Sequence, residues 1–234
     1  MDQRQTQIKE QAGLTESRLN QDFIDFTKRW GPTVLAIVAI AAIGWTGYHR
    51  WQRAKAAEVD AAFRELTAAS ATANPSPESL RGIAETYRSV RGVAPMALLQ
   101  AGDSYLRAVR LGMKIGTTPQ PDGTIAAVDL MTEGDRTNYL NEAQALYQRV
   151  LDDTGATPGK EVHAIAAAYG LAAVHESRGE LDRAKAAYDR VIQLADRAGF
   201  AAQIEVAKRR AEALAALASP PRLFTRAEFP ISSS

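Results

Sequence analysis

Hydrophobic and polar positions divide this chain into two regimes. From Trp30 to His49 there is no Asp, Glu, Lys or Arg. At a rise of about 1.5 Å per residue, such a run reaches roughly 30 Å as a helix, the thickness of a hydrocarbon core. Beyond it the pattern changes to amphipathic stripes at spacings of three and four, which predict surface helices. Val59, Phe63 and Leu66 form one stripe, leading to a stop at Asn74-Pro-Ser-Pro77. Leu80, Ile83, Ala84, Tyr87 and Val90 form another over 77–91, with Ser76 as N-cap. A third helix over 95–111 carries Leu98, Leu99, Gly102, Tyr105, Leu106 and Val109. Further helices are predicted over 138–152, 160–178, 180–197 and 200–218. The stretch 112–137 has little periodicity and reads as a long loop, with a short helical turn near Ala126–Met131.

The flanks of the uncharged run support a membrane span. All three tryptophans of the chain, Trp30, Trp45 and Trp51, lie at or near its ends with Tyr48, where amphipathic rings favour the headgroup level. Lys28, Arg29, Arg50 and Arg53 bracket it. Pro32 is expected in the first turn of the helix, where its missing N–H costs little. About 29 residues precede the run and no small-x-small site follows it directly, so a retained signal anchor is expected rather than a cleaved leader. Three bases before the span (Arg18, Lys28, Arg29) and four after it (Arg50, Arg53, Lys55, Arg64) leave its orientation open. Residues 1–29 read as polar, with Leu19, Phe23, Ile24 and Phe26 on one stripe. They form an interfacial helix, an outward extension of the span or a disordered segment.

Composition narrows the chemistry. The 234 residues carry a net charge of +1, which gives no general pull toward nucleic acid. Cysteine is absent, which removes disulfides, thiolate metal sites and Cys nucleophiles. The segment Gly155-Ala-Thr-Pro-Gly159-Lys160-Glu161 departs from a phosphate loop in its glycine spacing, in Glu161 where Ser or Thr is needed, and in lacking a preceding strand. His163 and His175 fall on one predicted helix, too far apart to share a metal. Glu176, Glu180 and Asp182 read as a solvated helix face and cap. No cofactor, metal or catalytic site is expected, and no enzyme.

A self-similar frame runs through the helical part. Leu171, Ala172 and His175 on one helix, Gly179 at the turn, and Ala184, Tyr188 and Val191 on the next resemble the tetratricopeptide repeat. Gly102 and Tyr105, with Ala143, Tyr147 and Val150, repeat the frame, split by an insertion of about 29 residues. Ile83, Tyr87 and Val90 give a weaker third copy. The last helix, Ala201–Ala218, has no partner and suits a capping role. The fold class expected is all-α: one N-terminal transmembrane helix followed by a tetratricopeptide-like α-solenoid of about three helix pairs plus a capping helix. The corresponding segments are 1–29, a span at 30–51, repeats at 52–218 with an insertion at 110–138, and a flexible tail at 219–234.

One anchor followed by about three such repeats resembles the ancillary subunit of the bacterial Sec translocon, including a basic-aromatic stretch, here Tyr48 to Arg53. That resemblance implies the bacterial inner membrane, a periplasmic repeat domain, and partners among translocon subunits, periplasmic chaperones and unfolded clients. The insertion and the Pro-Pro tail depart from the family pattern. In the repeat frame the groove-facing residues are Met96, Leu99, Asp103, Leu106 and Arg107, then Ala166, Tyr169, Ala173, Glu176 and Ser177. This set is mostly apolar and favours an apolar helix or extended chain over an acidic tail. The groove is alternatively covered by the insertion or by the chain's own tail, with Leu223, Phe224 and Phe229. Three functional readings follow: a membrane-anchored protein-binding scaffold accessory to export and chaperoning, an assembler of envelope or division machinery that homo-oligomerises, or an enzyme subunit with the insertion as an active-site lid, for which the sequence shows no converging polar groups under 112–137.

Overall fold

The computed structural model describes residues 3–72, 74–118, 120 and 122–217, with side chains from residue 23 onward. Among them are seven α-helices, one short 3-10 turn and a single isolated β-bridge. The chain divides into two units between Ala57 and Glu58.

The first unit is helical throughout its described length. Helix α1 is Gln3–Ser70, 68 residues, so the expected span is part of a much longer helix. Its apolar side chains are uncovered: Leu35 is 72 % exposed and Ile43 71 %. The most apolar 18-residue window has a mean hydropathy of 1.5 and is 0 % buried, so this helix is long and apolar enough to cross a membrane. Pro32 lies inside α1, not in its first turn as expected. Its ring removes the hydrogen bond that would reach the carbonyl of Lys28. Trp30, Trp45, Tyr48 and Trp51 are all exposed. Trp45 meets His49 edge-on at 4.6 Å, and the Lys55 ammonium sits 4.2 Å from the Trp51 ring centre.

The second unit begins with the end of α1 and continues through α2 (Pro77–Thr86), α3 (Val93–Leu111), α4 (Glu133–Thr154), α5 (Glu161–Arg178), α6 (Leu181–Ala198) and α7 (Ala201–Leu217). Consecutive helices pack on one another from α2 to α7, and α3 also packs on α5. Within this unit Ala62 and Leu66 of α1 join Leu80, Ile83 and Leu98 in one core. A second core joins α5, α6 and α7 through Ala168, Tyr188, Leu194 and Leu214. Helix α5 serves both cores, with Ala167, Leu171 and Val174 facing one and Ala164, Ala168 and Ala172 the other. A helix buried on opposite faces needs small side chains, which accounts for its run of alanines.

Local chemistry moves three boundaries from their expected places. Helix α2 has the expected Ser76 cap, accepting from the Ser79 N–H, but ends at Thr86 rather than 91. The chain then turns through Gly92, whose φ of 83° is costly for any side chain, and α3 starts at Val93. Pro95 thus occupies the third helical position, where an N–H would have no intrahelical partner. Helix α4 starts at Glu133 instead of 138. Thr132 accepts from the Asp135 N–H at 3.1 Å while the Asp135 carboxylate accepts from the Thr132 N–H at 3.1 Å, a reciprocal capping box.

The insertion is folded onto itself. Met113 pairs with Leu130 across its neck, the Lys114 N–H donates to the Asp129 carbonyl, and the Met131 N–H donates to the Gly112 carbonyl. The expected short helical turn is present at Ala127–Asp129. Asn74 reaches the Thr117 carbonyl at 2.8 Å, and the Tyr139 hydroxyl accepts from the Ile115 N–H at 3.3 Å.

One aromatic ring registers three helices. Tyr147 of α4 is 1 % exposed and lies between Gly102 of α3 and Gly170 of α5. A Cβ at Gly102 would come within 2.7 Å of the ring, and one at Gly170 within 2.5 Å. The ring cannot yield to one side without striking the other. Gly→Ala in a helix ordinarily stabilises by about 0.5–1 kcal/mol. Gly170→Ala should instead cost about 1–3 kcal/mol by overpacking. The exposed Gly82, with open space around its Cβ position, should show the ordinary gain when replaced by Ala. Thermal unfolding of the two variants checks this, and a smaller penalty for Gly170→Ala in a Tyr147→Leu background would show that the ring is the obstacle.

Candidate functional site

Each helix pair of the second unit places a tyrosine hydroxyl on a carboxylate of the preceding helix. Tyr87 donates to Glu65 at 2.7 Å, Tyr147 to Asp103 at 2.6 Å and Tyr188 to Glu176 at 2.6 Å. A tyrosine buried by its ring and wet at its hydroxyl marks where core meets surface. Burial, followed by the Glu176 carboxylate, pushes Tyr188 up to about 12. Burial, followed by the Asp103 charge, raises Tyr147 as well.

Beside Tyr147, α3, α5 and α7 frame an open cleft with two lobes. One lobe, about 450 Å³, is walled by Leu106 and Tyr147, by Ala166, Tyr169 and Gly170 of α5, and by Gln203, Val206 and Arg210 of α7. The other, about 570 Å³, is walled by Arg107, Val109 and Arg110 of α3, Arg136 of α4 and Ser177 of α5. Asp103, Leu106 and Ala173 belong to both, so the lobes are continuous. The Tyr169 hydroxyl donates to the Gln203 carbonyl at 3.2 Å, and the Arg210 guanidinium lies 5.5 Å from the Tyr169 ring centre. These contacts tie α7 to α5 across the apolar lobe.

Seven of the residues read as groove-facing therefore stand on this cleft: Asp103, Leu106, Arg107, Ala166, Tyr169, Ala173 and Ser177. Three do not. Met96 and Leu99 are half-buried and pack against the first core. They lie on α3 near its start, while the cleft opens along its second half. Glu176 accepts from Tyr188 and lines neither lobe. Arg110, Arg136, Val206 and Arg210 were not read as groove-facing. Arg110 follows Arg107 by one turn on α3 and was legible. Arg136 required the true start of α4, and the α7 residues required that the closing helix contribute a wall.

The cleft is also more basic than its predicted lining. Arg136 donates to the Ser177 carbonyl at 2.6 Å and lies 3.8 Å from Glu133. Arg107 and Arg110 form no ion pair or side-chain hydrogen bond among the described residues. Among the described residues, the loop between α3 and α4 (112–132) lines neither lobe. Its contact with Arg107 encloses only about 20 Å³, room for about one water at most. The tail with Leu223, Phe224 and Phe229 lies outside the described residues.

His175 approaches the Glu180 carboxylate at 2.6 Å, and that hydrogen bond holds Glu180 below its usual range. His163 and His175, read from sequence as too far apart to share a metal, are both partly buried on α5. Among the described residues, no group of three or more His, Asp or Glu is disposed to hold a metal ion.

Asp103 joins the cleft to the core. Loss of hydration raises its pKa above the ordinary 3.8, and the Tyr147 hydrogen bond opposes that rise. A carboxyl whose folded pKa is raised binds protons more readily in the folded state. Its contribution to stability is therefore greatest at low pH and declines as pH rises from 3.8 through the raised value. Asp103→Asn, which still accepts from Tyr147, should be at least as stable as the parent at neutral pH and should lose that decline. Denaturant unfolding at pH 4 and pH 7 (both values about) measures it. Comparison of the chain with protein families, with curated proteins and with solved structures found no match in any of the three.

Proposed function

We propose that this chain is a membrane-anchored scaffold whose helical stack holds segments of other proteins in the cleft between α3, α5 and α7. The observation that carries the reading is the pairing, in one chain, of an apolar helix with 0 % of its most apolar window buried and an open cleft walled by aromatic, aliphatic and charged side chains. Uncovered apolar area on this scale is stable only against lipid or another apolar surface. An open cleft of two continuous lobes walled by helices of a stack suits a peptide or helix better than a small molecule.

The tetratricopeptide likeness of the helix pairs and the basic-aromatic stretch after the apolar run support a narrower reading. In it the chain is an accessory of Sec-type export, anchored in a bacterial inner membrane with the stack in the periplasm, meeting translocon subunits, chaperones or emerging chains. The residues of the cleft then receive the client, and Trp30, Trp45, Tyr48 and Trp51 settle the anchor at the two interfaces.

Two measurements on the full chain in cells test this. A reporter that works only outside the cytoplasm, fused after Leu217, should be active. A photocrosslinking residue at the exposed Ala166 should give adducts with translocon subunits, chaperones or nascent chains. A silent reporter in a membrane-bound protein would place the stack in the cytoplasm. Adducts only between copies of the chain would favour the assembler of envelope machinery instead.

A further inference from the structure

The cleft's two lobes differ in chemistry. Arg107 and Arg110 lie three positions apart on α3, so they share one face of the helix. Arg136 joins them from α4, but its guanidinium is committed to the Ser177 carbonyl and faces Glu133. The other two guanidiniums have no protein partner among the described residues. Beside them lie Leu106, Val109 and Ala173, and beyond these the apolar lobe. Among the described residues Asp103 is the one acid on the walls, and its carboxylate already accepts from Tyr147.

A guanidinium presents a planar fork of donors that matches a carboxylate, and it gains most where apolar walls reduce screening. Two uncommitted forks in a concavity, next to a continuous apolar trough, complement a chain that carries acidic side chains beside a bulky apolar one. Resting on the scaffold reading above, we propose that the cleft selects acidic–apolar segments of partner proteins, with carboxylates on Arg107 and Arg110 and a neighbouring apolar side chain between Leu106, Tyr169 and Val206. This replaces the expectation that an acidic ligand is disfavoured. The charge that decides it comes from Arg110, which the sequence frame left out, standing beside Arg107.

The test uses the full chain in zwitterionic detergent, titrated with short fluorescent peptides in which Leu alternates with Glu, with Gln or with Lys. The Glu–Leu peptide should bind best and the Lys–Leu peptide should fail. Arg107→Gln and Arg110→Gln should each weaken Glu–Leu binding by about tenfold, and added salt should weaken it further. Tyr169→Ala should weaken both the Glu–Leu and the Gln–Leu peptide. Both arginines are exposed, so the variants should keep the parent's unfolding midpoint. Equal binding of Glu–Leu and Gln–Leu peptides, unaffected by the arginine variants but abolished by Ala173→Trp, would overturn the acidic preference and leave the scaffold standing. Binding by no peptide overturns the proposal too, and the crosslinks from Ala166 then decide the scaffold reading separately. Arginine-dependent capture by vesicles of anionic lipid that the Glu–Leu peptide does not displace would assign the pair to headgroups and end the proposal.

Discussion

The close approach of three helices around the Tyr147 ring is the constraint on which the rest of the second unit depends. Two glycines one helix apart leave room for a single flat side chain, and that side chain fixes the distances from α3 to α4 and from α4 to α5. Because α3 and α5 form facing walls of the cleft, the ring also sets the width of the trough above it. Its hydroxyl ends on Asp103, the residue shared by both lobes. Packing and cleft are therefore joined by one phenol. A change in the core at this point would be felt at the surface through the position of Asp103.

The alternation of core and cleft along α3 explains what could be read from sequence there and what could not. Gly102, Tyr105 and the Ala143–Tyr147–Val150 series were legible because close packing demands small and aromatic residues at fixed spacings. The cleft frame was legible from Asp103 to Arg107 because those positions alternate with the buried ones. It slipped at Met96 and Leu99 because the start of α3 is covered by the first core, and periodicity alone does not say how far along a helix its exposed face stays open. Arg136 was out of reach of the pattern: its place follows from a capping box at Thr132 that sits at the edge of an aperiodic segment.

The larger elements were more readable than their ends. All seven helical segments expected after the uncharged run are present, the first as the end of α1, and α5, α6 and α7 begin or end within a residue or so of expectation. Helix α2 stops early, at Thr86, where Tyr87 leaves helical geometry with φ −105° and ψ 32°, a break that the apolar stripe through Val90 does not reveal. In the first unit the absence of charge marked the apolar stretch correctly. Of the readings offered for residues 1–29, the outward extension of the span is the one the structure shows from Gln3 onward, so Pro32 falls in mid-helix instead of at a start. Proline signals a boundary only when nothing outweighs the one hydrogen bond it removes.

The self-pairing of Met113 with Leu130 bears on the order in which the molecule assembles. Closing a loop of this length costs about 1 kcal/mol more in chain entropy than closing a short helical connection. The backbone hydrogen bonds at the neck of the loop offset that cost only once both strands of the neck have met. The hairpin of α5 and α6, joined through Gly179 and Glu180, carries no such delay. Contacts local in sequence form soonest, and the α5–α6 and α6–α7 connections are the shortest in this unit.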